Sequence, residues 1–371
     1  MNKLLLALVG FFILYLLVEN FYNNKNRKKL KHIIHVNGIR GKSSVTRLIH
    51  SGLNGNGIKS FAKTTGTLPM TINTKNQEEL IQRRGRANIR EQIFIMKKAV
   101  LEGAEVLAIE CMAVQPRLQF ISQHNILKSD IGIITNVRLD HTEEMGETLE
   151  EICESLANTI PKNGILITSE EKYFEKLKSI CEKLNTKIIK VNVKDTYNEI
   201  NFKENVACAL EVCKLFGIEE EDALIAMKNF IHDPYDLRVY KLNTGAIFVN
   251  GLSINDPDSS EIVYKELEEK YNWQAKKLVL LINNRPDRGY RANHMVELTK
   301  RLLPDEVLIM GSFTKVLKRN LLDFDTKVID NVKNLDFNNF DDNNIIFAVG
   351  NIANDGDKIL EKIRNEGDEY V

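Results

Sequence analysis

HIIHVNGIRGKSSVTRLI, residues 32–49, decides the fold. A β-rich apolar run, His32 to Val36, passes into a loop with Gly38, Gly41, Lys42, Ser43 and Ser44. An amphipathic segment with Val45, Leu48 and Ile49 on one face follows. Strand, glycine loop and helix in that order make a phosphate cradle: glycines let backbone N–H groups turn inward, and the helix N-terminus adds partial positive charge. Lys42 suits the outer phosphates and the Ser43 hydroxyl a Mg²⁺ shell. The strict GxxxxGK[ST] spacing asks for glycine where Val36 stands, so strand and helix context carries the assignment.

Outward from the loop, strands are expected near 59–63, 105–110, 131–137, 164–168 and 187–192. Helices are expected at 42–55, 88–102, 148–159, 171–184, 201–216 and 219–231. Such alternation predicts an α/β domain with a parallel sheet covered on both faces and ligands at the C-terminal strand ends. Two polar segments fall at such ends. Val106 to Ile109 closes in Glu110, an acid placed to hold Mg²⁺ or, more plainly, to cap the next turn. The run from Ile131 leads into NVRLDH, with Asn136, Asp140 and His141. An Asp-His pair there is either a helix cap with a surface imidazole or a metal ligand with its neighbour; Glu110 and the phosphate loop favour the metal.

After His232-Asp233-Pro234 the pattern restarts, with strands expected at 238–242, 245–250, 277–283, 306–310 and 344–349 and helices at 258–270, 290–301 and 355–365. This is a smaller, Rossmann-like α/β domain. Arg285, Asp287, Arg288 and Arg291 in NNRPDRGYR offer bidentate donors for carboxylate or phosphate, or an internal loop network. QRRGRANIR, Gln82 to Arg90, is a second basic cluster that guides a polyanion or forms a solvated loop. DFNNFDDNN, residues 336–344, reads as a surface loop.

The chain begins with the apolar run Leu4 to Val18. Its fifteen residues reach about 22 Å as a helix, short of the roughly 30 Å hydrocarbon core, with Lys3 and Phe21-Tyr22 placed to extend it. A cleaved signal peptide is the rival reading, but no small-x-small site follows in ENFYNN. Lys25, Arg27, Lys28, Lys29 and Lys31 lie just beyond, which puts the body in the cytoplasm by the positive-inside bias. The resulting division is a transmembrane anchor at 1–22, a basic linker at 23–31, an ATP-binding domain at 32–235 and a C-terminal domain at 236–371. Across 371 residues, 51 Lys and Arg balance 51 Asp and Glu, which argues against a dedicated nucleic-acid binder. Five cysteines without a CxxC pair read as reduced thiols.

Together these strings resemble the Mur ligase superfamily, ATP-dependent amide ligases whose phosphate loop reads GTNGK[ST] and whose second signature is N-x-x-x-D-H. HVNGIRGKSSVTRLI, AKTTGT, NIREQ, IECMAVQP, TNVRLDH, NTIPKNGIL, NRPDR and VGNIANDG are closer to one branch, the ligase subunits of poly-γ-glutamate synthases. The resemblance implies ATP and Mg²⁺ at Lys42 and Ser43, with Glu110 and His141 as further metal residues. It also implies Asn205 facing the adenine and Arg238 reaching the nucleotide. Arg285, Arg288 and Arg90 are the candidates for the anionic substrate. The implied reaction couples the γ-carboxylate of a glutamate chain to the amine of another glutamate. Small integral-membrane subunits and an accessory capsule protein are implied partners. Departures exist: no UDP-sugar domain precedes the loop, Leu156 stands near the family's carbamylated lysine, and Gly251 and Ser253 replace an Asp-x-Lys. The alternatives are another Mur-type ligase, such as folylpolyglutamate synthetase, and a membrane-anchored P-loop transport or assembly ATPase.

Overall fold

The computed structural model describes all of the chain except residues 1–2, 67, 84, 86, 234–235, 255, 286–288, 290, 353–354 and 371; Arg288 and Asp287 therefore lie outside the described residues. It divides into two compact units, 1–232 and 233–371.

The first unit opens with α1 (Lys3–Arg27), β1 (His32–Asn37), α2 (Lys42–Gly55), β2 (Ser60–Thr64), β3 (Met70–Ile72) and β4 (Glu78–Leu80). Then come α3 (Glu91–Leu101), β5 (Val106–Glu110), α4 (Pro116–Ile121), β6 (Ile131–Ile134), α5 (Thr142–Met145) and α6 (Leu149–Ala157). It closes with β7 (Ile165–Thr168), α7 (Phe174–Lys183), β8 (Lys187–Lys190), α8 (Lys203–Leu215) and α9 (Glu220–Met227). The sheet order is β4-β3-β2-β5-β1-β6-β7-β8. From β2 to β8 the pairs are parallel, and β3 and β4 add an antiparallel edge. Those two three-residue strands are too short to show a period of two, so the sequence reading passed over them.

Strand β1 shows why this sheet sits at the centre. Ile34 and Val36 face Val45, Leu48 and Ile49 of α2 in one apolar cluster. The alternate residues His35 and Asn37 face the other side, where the Asn37 amide donates to Gln119 Oε1 (2.8 Å) and His35 Nδ1 meets Gln123 Oε1 (2.9 Å). A buried polar seam is tolerated only where partners are supplied, and the α4 segment with the π-helical turn Ser122–Leu127 supplies them.

Helix α1 outruns the apolar stretch and continues to Arg27, into the basic segment 23–31. Its end is docked. Buried Asn23 donates to the Ile126 carbonyl (2.9 Å), and Arg27 donates to the Lys128 carbonyl (3.0 Å) and to Asp130 (2.7 Å). The second carboxylate oxygen of Asp130 accepts from the Ile33 amide (3.0 Å), so the clasp closes on the first strand.

The second unit contains β9 (Arg238–Leu242), β10 (Ile247–Asn250), α10 (Pro257–Tyr271), β11 (Lys277–Asn284), α11 (Arg291–Leu302) and β12 (Glu306–Gly311). They are followed by α12 (Thr314–Asn320), β13 (Thr326–Val328), β14 (Asn344–Gly350), α13 (Gly356–Glu366) and β15 (Gly367–Glu369). Its sheet runs β13-β12-β11-β14-β10-β9-β15, parallel from β13 to β10, with β9 and β15 antiparallel. The tract 336–344, expected as a surface loop, is corrected here. Phe337 and Phe340 are buried in the core, Phe337 edge-on to Phe248 at 5.9 Å, while Asn338 and Asn339 between them and the flanking Asp336, Asp341 and Asp342 stay outside.

Candidate active site

The phosphate loop joins β1 to α2 at the C-terminal edge of the first sheet. Two glycines shape it. Gly38 has φ +126°, and a Cβ there would lie 2.0 Å from Thr135 Oγ1. Gly41 has φ +83°, and a Cβ there would lie 2.2 Å from Asn205 Oδ1. Both positions thus need the left-handed backbone and the missing side chain. Asn205 is thereby located: its amide, near the start of α8, packs against the loop and donates to Asn201 Oδ1 (2.9 Å).

Between the glycines, Arg40 is held by the connection after β6. Its amide donates to Asn136 Oδ1 (3.0 Å), and its carbonyl accepts from Thr135 Oγ1 (2.6 Å) and Asn136 Nδ2 (3.1 Å). Its guanidinium lies 3.3 Å from Asp140 Oδ2. Asp140 also accepts from the His141 amide (2.8 Å), and the His141 ring stands 3.8 Å from that carboxylate. His141 adopts φ +52° at the start of α5, which turns the DH pair back toward the loop side of the sheet edge.

Lys42 folds over its own loop, donating to the carbonyls of Gly38 (2.7 Å) and Ile39 (3.0 Å). Burial lowers its ammonium pKa; the charge of Glu110 opposes that shift, Arg40 adds to it, and Cys111 and Asp140 act on it more weakly. Ser43 donates to Glu110 Oε2 (2.7 Å), and the same oxygen accepts from the Thr65 amide (2.6 Å). Lys42, Ser43 and Glu110 therefore converge, and Asp140 and His141 flank them through Arg40. Ser44 follows on the first turn of α2.

A hydroxyl beside a buried carboxylate is a hard oxygen pair that fits Mg²⁺, which keeps its remaining positions for water and phosphate. Among the described residues no three His, Cys, Asp or Glu side chains converge as a metal cage. Leu156 is fully buried in an apolar cluster with Ile134, Met145 and Ile152, so that position holds a packing residue.

The remaining candidates lie elsewhere. Arg90 caps α3 and donates to Glu19 (2.5 Å) and to the Tyr15 hydroxyl (3.0 Å), so its guanidinium is engaged by α1. Arg238 belongs to the second unit, where it bonds Glu369 (2.6 Å) across β9 and β15. Arg285 directly follows β11 in that unit.

Sequence reasoning missed Lys63. It is wholly buried on β2, 3.1 Å from Glu91, which Arg83 grips bidentately at 2.6 and 3.0 Å. Burial lowers its pKa, opposed first by Glu91 and then by Glu110. A lysine inside the strand SFAKT was the available signal.

Comparison with known proteins now has a site to act on. The Mur ligase middle domain model matches residues 36–229, and this fold and loop define a Mur-type ligase. The model of the poly-gamma-glutamate synthase CapB C-terminal domain matches residues 235–366. PGA synthase CapB of Bacillus subtilis (strain 168) is 33% identical over 94% of both chains. The capsule biosynthesis protein CapB of Bacillus anthracis is 30% identical over 98% of this chain and 83% of its own. The chain belongs to the CapB family of Mur-type poly-γ-glutamate synthases, which are ATP-dependent amide-bond ligases. Among solved structures, the folylpolyglutamate synthase/dihydrofolate synthase of Yersinia pestis with AMPPNP and Mn aligns at TM-score 0.70 and 14% identity over 92% of each chain. Folylpolyglutamate synthase of Thermotoga maritima aligns at 0.64 and 15% over 98% of each. These two share the fold.

Proposed function

We propose that this chain uses ATP to activate the γ-carboxylate of a glutamate chain and joins it to the α-amine of the next glutamate. A carboxylate resists amine attack because oxide is a poor leaving group. Transfer of the ATP γ-phosphoryl group gives an acyl phosphate, and amine attack then forms the γ-linked amide and expels phosphate. Lys42, with the loop amides behind Gly38, Gly41 and Ser44, neutralises the transferring phosphoryl charge. Ser43, Glu110 and His141 hold Mg²⁺, which supplies further charge neutralisation when bound. Asn205 positions the nucleotide, and Arg238, Arg285 and Arg288 receive nucleotide or substrate carboxylates. The observation that carries the reading is the meeting of Ser43 with Glu110 beside Lys42.

The helix α1 is long and apolar enough to cross a membrane. We read it as the anchor of a cytoplasmic enzyme whose polyanionic product passes to membrane-embedded partner subunits. Detergent-solubilised protein given ATP, Mg²⁺ and labelled glutamate should form ADP and γ-linked oligomers. Unchanged ADP formation by Lys42→Ala would refute the assignment of the loop, and amide formation that requires folate as the carboxylate partner of glutamate would refute that of the substrate.

A further inference from the structure

Helix α1 is fixed to the first unit at two levels. At the lower level, Arg27 bonds Asp130, the residue before β6, and Lys31 donates its amide to Glu105, just ahead of β5. This is the N-terminal edge of the parallel strands. At the upper level, Glu19 and Tyr15 bond Arg90 at the start of α3. Strand β4 runs in the direction of β2, since both lie antiparallel to β3, so α3 enters at the C-terminal edge and descends. The ion pair of Glu91 with Lys63 agrees, because Lys63 is in register with Ile109, next to Glu110.

From Arg27 back to Tyr15, α1 thus climbs the flank of the sheet. Twelve residues at 1.5 Å give about 18 Å, against about 17 Å for a five-residue strand. Leu4 to Leu14 then run on past the edge that carries the phosphate loop, by about 16 Å. The long apolar side chains of this stretch are exposed. The hydrogen bond from Arg90 to Glu19 raises the guanidinium pKa, and Arg90 also lies 5.8 Å over the Tyr15 ring. Below Tyr15 the exposed apolar side chains continue along the flank through Leu17, Val18, Phe21 and Tyr22.

We infer that the bilayer lies against the C-terminal edge of the first sheet, so that the phosphate loop opens toward the lipid headgroups. This rests on the reading of α1 as a membrane anchor. Arg83 is paired with Glu91 and Arg90 with Glu19, so it is α1 itself that brings this edge to the lipid. A strongly charged polymer made at that edge emerges beside the membrane that it must cross.

The five native cysteines are buried, so an added surface thiol can be labelled selectively. Leu80, at the end of β4, is 52% exposed at the upper edge, and Leu101, at the end of α3, is 75% exposed at the lower one. Full-length Leu80→Cys and Leu101→Cys proteins carrying a fluorophore are reconstituted in vesicles that contain anionic lipid and headgroup-labelled quencher lipid. The label at 80 should be quenched about threefold more than that at 101, since α3 separates them by about 16 Å. Equal quenching, or more at 101, overturns the orientation while co-flotation with vesicles preserves the anchor. Failure to float overturns both. Arg90→Glu should abolish the difference and Glu19→Arg in the same chain restore it; an unchanged difference in Arg90→Glu removes the upper contact from the argument.

Discussion

The Ser43 hydroxyl and the Thr65 amide donate to the same oxygen of Glu110, at 2.7 and 2.6 Å. One carboxylate oxygen thereby ties the start of α2 to the ends of β5 and β2. Both donors converge on that oxygen from separate elements, which fixes the carboxylate beside Lys42 and Ser43.

Glu110→Gln keeps an acceptor for both donors but removes the charge. ADP formation should fall about 10²- to 10³-fold, with a higher Mg²⁺ concentration needed for half-maximal rate. Melting temperature should change little. A Mg²⁺ titration of steady-state turnover checks this, and an unaltered Mg²⁺ requirement would count against Glu110 as a metal residue.

Gly41→Ala places a methyl against Asn205 and demands φ +83° of a residue with a side chain. The strain costs on the order of 1–3 kcal/mol, and nucleotide binding should be lost ahead of folding. In the double variant with Asn205→Ala the contact is relieved but the backbone strain remains. Partial recovery of nucleotide affinity, measured by calorimetry, is the expected result.

Glu91→Leu leaves the buried Lys63 ammonium without its ion-pair carboxylate. Removal of one partner of a buried pair costs about 3–5 kcal/mol. Adding Lys63→Met should return most of that loss, since a thioether of similar length fills the space. Chemical denaturation of the two variants separates these outcomes.

Acid stability should follow His35 and His50. Burial lowers the pKa of each from 6.5 to about 4, so both rings stay neutral in the folded chain. Between those values the unfolded chain binds protons that the folded one refuses. Stability is complete above pH 6.5 and falls as pH drops toward 4, by up to about 3 kcal/mol per histidine. His35→Gln should halve the slope that these two residues contribute between pH 6.5 and 5, as read by melting temperature.

Much of the first sheet was legible because its strands are apolar runs closed by polar residues, as in Val106–Glu110, and because Gly41 and Lys42 mark a loop that few other structures need. Helix α2 was read to its observed ends for the same reason. The β3–β4 hairpin was not legible, since three residues carry no periodicity. Nor was the burial of Phe337 and Phe340, whose Asn and Asp neighbours dominate any local average. Arg90 was read as a substrate residue from the charge of its segment. Its bond to Glu19 depends on a helix seventy residues away, and no local pattern announces that. Lys63 could have been found, because a charge inside an apolar strand requires a buried partner.

The clasp of Asn23 and Arg27 on Ile126, Lys128 and Asp130 bears on how a water-soluble form should be cut. A protein begun at His32 would strip the Ile126 carbonyl of its amide donor and leave Asp130 holding the first strand alone. One begun at Glu19 discards the greasy segment yet keeps the whole fastening, and it is the better starting point for crystals.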